Sequence, residues 1–289
     1  MQIGVTTYSF EQLFRKTGAD YFKVCDIAKE IGYEFLDVTD IIPERAGVTD
    51  ETEAAKILGD YCKRIGLEIG CYTVGADFIN GSGGDINAEI AAIKHKVDIA
   101  RALGAEIMRH DSASGTGGRE KLRNYRDVIE VIAPAIREVT QYAASFGIRT
   151  CTENHGYFMQ DSSRVEALIL AVNDPNYGWL VDIGNFRCAD EDSIHAVSTA
   201  APYAFHVHVK DFLYKPGTEK DPGDGWFRTR GGNYIRGTVI GHGVIPVAQC
   251  VAILGNAGYD GKFTVEFEGM EENIDALRAA YNYMKRIAG

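Results

Sequence analysis

IAAIKHKVDIARALGAEIMRH, residues 90–110, holds the reading that decides the fold. Ile90, Ile93, Val97 and Ala100 recur at helical spacing, the run stops at Leu103-Gly104, and Ala105 opens a β-type run with no spacer. Glycine just past a helix takes the left-handed conformation at no steric cost, so Gly104 reads as a stop. The same punctuation recurs at Ile31-Gly32-Tyr33, Ile65-Gly66-Leu67, Phe146-Gly147-Ile148 and Ala257-Gly258-Tyr259. Two further helices end near proline, at Asn173-Asp174-Pro175 and Ala201-Pro202.

Working outward, apolar stripes at helical period appear at Val24/Ile27/Ala28/Ile31, Ala54/Leu58/Tyr61/Ile65, Val128/Ile132/Ala135/Val139, Val165/Leu168/Ile169/Val172 and Ile274/Leu277/Tyr281/Met284. Strands are expected near 2–7, 33–38, 67–74, 105–110, 148–154, 178–183, 203–210 and 262–268, with a last helix near 271–287. Eight alternating units predict an α/β fold, a single (β/α)8 TIM barrel forming one domain over 1–289. A doubly wound open sheet is disfavoured because GxGxxG does not follow the first strand.

Composition bounds the partners. With 45% hydrophobic residues the chain can fill a barrel core, and no apolar stretch approaches membrane-spanning length. A net charge of -11 opposes nucleic-acid phosphates. Six cysteines without a CxxC pair, and a start that lacks a signal-peptide pattern, fit reduced thiols in a cytoplasmic protein.

In such a barrel chemistry sits at the C-terminal ends of the strands. Strand five ends Thr152-Glu153-Asn154-His155-Gly156 and strand six ends Val181-Asp182-Ile183-Gly184-Asn185. Strand seven reads Phe205-His206-Val207-His208-Val209-Lys210-Asp211, and strand eight Thr264-Val265-Glu266-Phe267-Glu268-Gly269. Side chains two apart share a face. With Phe205, Val207, Val209, Phe263, Val265 and Phe267 packed outward, four adjacent strands aim Glu153, Asp182, His208 and Glu266 at one point. Three carboxylates and an imidazole repel unless a cation joins them, and this donor set predicts one divalent metal, Mn2+ first, with Mg2+, Co2+ and Zn2+ compatible. His206 reads as a packing or hydrogen-bonding residue. His155 is a candidate substrate contact or proton-transfer group, and Asn185, Lys210, Arg228, Arg230 and His110 are candidate substrate contacts. The long segment from Pro216 to Gly243, rich in glycine, arginine and aromatics, reads as a lid or a subunit contact.

TENHG, VDIGN, HVHVKD and VEFEG, with GHG before a helix and Gly258-Tyr259-Asp260-Gly261, resemble the xylose-isomerase-like sugar isomerase/epimerase superfamily. The resemblance covers nearly the whole chain and is strongest from 148 to 270. It implies Glu153, Asp182, His208 and Glu266 as metal ligands, and Glu153 with Glu266 as an acid/base pair that moves a proton next to a carbonyl through an enediolate. It implies a small carbohydrate or glycoside as substrate and a homo-oligomer. Asn185 stands where ketose 3-epimerases carry a histidine, and Lys210-Asp211 stands in place of their Gly-Glu. Both differences lean towards other branches. The 216–243 segment resembles that of C-glycoside deglycosidase large subunits, lyase-type enzymes acting on 3-keto glycosides with a small second subunit. That is the alternative reading. A DNA-repair AP endonuclease of the same fold needs several zinc ions, and seven histidines with this charge fit it poorly.

Overall fold

The computed structural model describes residues 1–288, so only Gly289 of the expected 1–289 domain lies outside it. Eight parallel strands close in the order β1-β11-β7-β6-β5-β4-β3-β2. They are β1 (Gln2–Thr6), β2 (Phe35–Thr39), β3 (Glu68–Val74), β4 (Ile107–His110), β5 (Arg149–Glu153), β6 (Tyr177–Asp182), β7 (Ala204–Val209) and β11 (Lys262–Val265). An outer layer surrounds them: α1 (Glu11–Thr17), α2 (Tyr21–Ile31), α3 (Glu51–Ile65), α4 (Ile86–Leu103), α5 (Tyr125–Ala144), α6 (Ser162–Val172), α7 (Ser193–Ala200), α8 (Val247–Asn256) and α9 (Asn273–Ile287). The expected α/β single TIM barrel is the observed fold. No helix among the described residues is long and apolar enough to cross a membrane.

The punctuation works as the sequence implies. Gly32, Gly66, Gly104, Gly147 and Gly258 all have positive φ, Gly104 at +84°. Asn173 supplies the left-handed cap of α6 (φ +47°), so the asparagine and not the following proline stops that helix. The apolar stripes bury between helices and strands, with Val24, Ala54, Leu58, Val97, Val128, Ile132, Val165 and Leu277 at 0% exposure.

Inside the barrel a small apolar plug of Cys71, Ile107, Cys151 and Leu180 fills the lower half. The alternation expected for β7 fails at one residue. The register between β6 and β7 shifts between Trp179 and Leu180, so Phe205 turns against this plug instead of packing outward. Phe35 fills the same lower half, and Gly4 and Gly70 leave it room. A Cβ on Gly70 would lie 2.3 Å from Asp37 Oδ1 and 2.4 Å from the Phe35 ring. Gly70→Ala is therefore expected to lower stability by about 1–3 kcal/mol through overpacking, read from urea denaturation.

The 216–243 segment holds two short strands that pair with a third just before it. Strands β8 (Asp211–Lys215), β9 (Phe227–Arg228) and β10 (Tyr234–Thr238) form a three-stranded antiparallel sheet in the order β8-β10-β9. Asp211 pins its base: Oδ2 accepts the N–H groups of Gly241 and Gly243, and Oδ1 those of Phe212 and Ile245, at 2.8–3.0 Å.

Candidate metal centre

Each strand end delivers one group. Glu153, Asp182, His208 and Glu266 each place a ligand atom within 4.8 Å of the others, and all four are buried. Local structure explains the aim. Asn154 points outward and ties β5 to β6: its Nδ2 donates to Asp182 O at 2.8 Å, and its Oδ1 accepts from the Asp182 N–H and the Trp179 indole. The turn after β6 donates two backbone N–H groups, Gly184 at 2.8 Å and Asn185 at 2.9 Å, to Asp182 Oδ1. Asp182 Oδ2 is left without a hydrogen-bond partner.

His208 is held from behind. Its Nε2 lies 3.0 Å from Asp37 Oδ2, while Nδ1 is buried, without a hydrogen-bond partner, and 3.5 Å from Glu266 Oε2. Asp37 Oδ2 also meets His206 Nε2 at 2.7 Å, and His206 reaches Thr264 Oγ1 at 2.9 Å. His206 thus sits in a hydrogen-bonded layer one step below the ligand cluster.

Cations flank the carboxylates. Lys210 Nζ is 2.8 Å from Glu266 and 3.5 Å from both Asp182 and Glu268. Arg109 Nη2 is 2.5 Å from Glu153 Oε2, and Asn185 Nδ2 donates to Glu153 Oε1 at 2.9 Å. Burial pushes Glu266 up, but Lys210 and His208 outweigh it and hold the carboxyl well below the usual range. Asp182 goes the other way: burial, with Glu153 and Glu266 nearby, raises it to about 6 against the pull of Lys210. Oriented, unpartnered ligand atoms on Asp182 and His208, in a set of three carboxylates and one imidazole, fit a divalent cation.

Other expected residues fall in different places. His155 lies at the rim with 47% of its side chain exposed, its Nδ1 3.1 Å from Asp111 Oδ1. Asn185 is buried and bonds Glu153 and Lys210, so it orients those groups. His110 does not face the barrel. It is fully buried, stacks on Tyr177 and meets Phe78 edge-on, because β4 turns its neighbour Arg109 inward. Arg228 is engaged within the small sheet, its guanidinium 4.5 Å over the Tyr234 ring. Arg230 pairs with Asp161 and donates to Tyr157 O at 3.1 Å, clasping the loop after β5. Neither arginine lines the cavity over the cluster.

That cavity holds about 270 Å3, and its walls include Tyr8, Thr39, Thr73, Arg109, His155 and Lys210. Asp37, Arg109, Asp111 and Tyr8 were absent from the sequence expectations. Alternation could have found two of them: Leu36 and Val38 pack outward and leave Asp37 inward, and the same argument in β4 selects Arg109. Burial pushes the Asp111 carboxyl up, while Arg109 and the His155 hydrogen bond bring it down to about 2.

A closed barrel with these groups at its strand ends defines a class, and the relatives agree. The chain belongs to the family described as Xylose isomerase-like TIM barrel, which it matches over residues 25–287. YihM of Escherichia coli K12 is 26% identical, over 89% of this chain and 69% of that protein. The L-ribulose-5-phosphate 3-epimerase UlaE of Escherichia coli O157:H7 strain EC4115 is 22% identical, over 93% of this chain and 90% of that one. Among solved structures, the IOLI protein with a bound zinc atom superposes with a TM-score of 0.76 at 15% identity, covering 99% and 98% of the two chains.

The buried carboxylate behind His208 leads to a prediction at this site. A carboxylate partner of this kind fixes which imidazole nitrogen faces the metal, and its loss typically costs 10–100-fold in affinity, so Asp37→Asn is expected to weaken Mn2+ binding by about 10–100-fold. Calorimetric titration of the metal-stripped protein checks this.

Proposed function

We propose that this chain is a divalent-metal-dependent sugar isomerase or epimerase that removes a proton next to a carbonyl and returns one to the opposite face of the same carbon, or to the neighbouring carbon or oxygen. The observation that carries it is the convergence of Glu153, Asp182, His208 and Glu266, with ligand atoms on Asp182 and His208 that have no hydrogen-bond partner, under a polar cavity at the strand ends. UlaE, whose reaction is an epimerisation, supports the same chemistry at family level.

Glu153, Asp182, His208 and Glu266 would hold the cation. When bound, a divalent cation polarises a carbonyl and makes the adjacent C–H more acidic. Glu266, kept ionised beside Lys210, accepts the proton. Glu153 approaches from β5, three strands in the barrel order from β11, whose end carries Glu266, and serves the other side of the sugar. Arg109 and Asn185 hold Glu153 in place. His155, backed by Asp111 at the rim, contacts substrate hydroxyls. Burial of the four groups keeps water from competing for the transferred proton.

The lyase-type deglycosidase reading shares the first proton abstraction and differs in what leaves afterwards. Incubation in D2O with a panel of ketoses and 3-keto glycosides, read by mass and proton spectra, separates them. Deuterium at one carbon with inverted configuration marks epimerisation, and deuterium at the neighbouring carbon marks isomerisation. Release of the aglycone marks the lyase. No exchange into any member, with metal present, would overturn the proposal.

A further inference from the structure

The wall of the cavity over the metal centre is acidic. Asp40 and Glu268 stand there beside Asp111, Glu153 and Glu266, against three basic side chains, Arg109, His155 and Lys210. We propose that the site takes an uncharged sugar, and that Glu268 and Asp40 set this preference by accepting its hydroxyls and repelling a phosphorylated counterpart. The proposal rests on the metal centre being the sugar site, as above, and adds the substrate class.

Each basic group of the wall is already engaged. Arg109 pairs with Glu153, lies 3.4 Å from Asp111 and donates to Val74 O at 3.0 Å. Lys210 Nζ is within 3.5 Å of Asp182, Glu266 and Glu268, and His155 Nδ1 is 3.1 Å from Asp111. Phosphate is held by arginine or lysine donors aimed at it, so here it would have to displace a carboxylate. Barrels of this kind frequently bind phosphate at the loops after the seventh and eighth strands. After the eighth, positions 266–272 hold Glu266, Glu268, Glu271 and Glu272 and no lysine or arginine. After the seventh, Arg230 pairs with Asp161, and Arg236 lies 3.5 Å from Glu271. Arg15 and Lys16, in the neighbouring hollow, stand in the last turn of α1, where the helix dipole is negative, and Arg15 faces Glu11 at 3.5 Å.

Sugar hydroxyls, by contrast, meet matching groups. Glu268 lies 3.5 Å from Lys210, longer than a good hydrogen bond, so its carboxylate can accept from a hydroxyl. Asp40 is half exposed at the rim, 3.5 Å from Lys96, which is shared with Glu51 at 3.1 Å. Thr73 Oγ1 is buried in the cavity wall without a hydrogen-bond partner, and the Tyr8 phenol, protonated at neutral pH, offers a donor. The carboxylates that accept from a neutral hydroxyl are the ones that repel a phosphate, so one set of groups both selects and excludes.

The test is calorimetric titration of the protein, with Mn2+ in excess, by fructose and fructose 6-phosphate and by ribulose and ribulose 5-phosphate. Wild type is compared with Glu268→Gln and Asp40→Asn, near-isosteric changes whose folding circular dichroism checks. In at least one pair the free sugar is expected to bind at least about tenfold more tightly than its phosphate. Glu268→Gln is expected to narrow that ratio by about 3- to 10-fold, and the more exposed Asp40→Asn by less, because solvent and salt screen it. Failure of both free sugars to bind, a phosphate that binds as tightly as its free sugar in both pairs, or a ratio that the folded variants leave unmoved overturns the proposal. Proton exchange in D2O with the same four sugars reports separately on the metal centre. A free sugar that binds without exchange counts against the isomerase or epimerase reading alone, and exchange that favours the phosphates counts against this proposal alone.

Discussion

Glu266→Gln is expected to lower solvent proton exchange into a ketose by about 10³-fold or more, as loss of a positioned general base does. The amide keeps the size and one ligand oxygen of the carboxylate but cannot accept the proton. Glu266 is the more sensitive of the two glutamates, because Lys210 Nζ at 2.8 Å keeps it ionised. Glu153→Gln is expected to act in the same direction. Its geometry differs, since Arg109 and Asn185 occupy its two oxygens from the protein side. Exchange rates in D2O with saturating Mn2+ check both variants. A folded Glu266→Gln protein that exchanges within about tenfold of wild type would remove that residue from the proton path.

His208→Ala is expected to weaken Mn2+ binding by more than about 100-fold, a larger loss than removing a residue that merely supports a ligand. His208 is the sole nitrogen donor of the cluster, and its Nδ1 has no hydrogen-bond partner. The substitution has a second consequence one layer down. Asp37, fully buried, would keep His206 but lose its 3.0 Å contact to His208. A stability loss of about 1–3 kcal/mol is expected from that exposed deficit in hydrogen bonding. Titration calorimetry reads the first effect and urea denaturation of the metal-stripped proteins reads the second.

Much of this architecture was legible because backbone punctuation and side-chain alternation are local. A left-handed residue is needed wherever a helix turns directly into a strand, and glycine satisfies it at Gly32, Gly66, Gly104, Gly147 and Gly258. The inward aim of Glu153, Asp182, His208 and Glu266 follows from period two in four adjacent strands. What alternation cannot foresee is a register shift, and the shift beside Trp179 is why Phe205 joined the inner plug.

The supporting residues were harder to read. Arg109 and Asp37 lie on strands β4 and β2, away from the motif-bearing segments, and only the closed barrel brings them to Glu153 and His208. His110 looked chemically apt, yet it is the neighbour of the inward residue and packs against Tyr177 and Phe78. The 216–243 segment reads as a lid or a subunit contact in the chain, and it contributes two strands to a sheet whose base Asp211 pins by collecting the N–H groups of Gly241, Gly243 and Ile245 together with that of its neighbour Phe212. Arg228 and Arg230 then bind that sheet and the loop after β5, which no local pattern encodes.

The most direct test of the account is the metal content of the purified chain by elemental analysis, set beside the same measurement on Asp182→Asn. Asp182 touches the site only through Oδ2, since Oδ1 is committed to the turn after β6. About one divalent ion per wild-type chain is expected, removable by chelator and restored by Mn2+, and much less in the variant. A wild-type protein that takes up no divalent ion, or a variant that holds it as well as wild type, would contradict a metal centre at these strand ends.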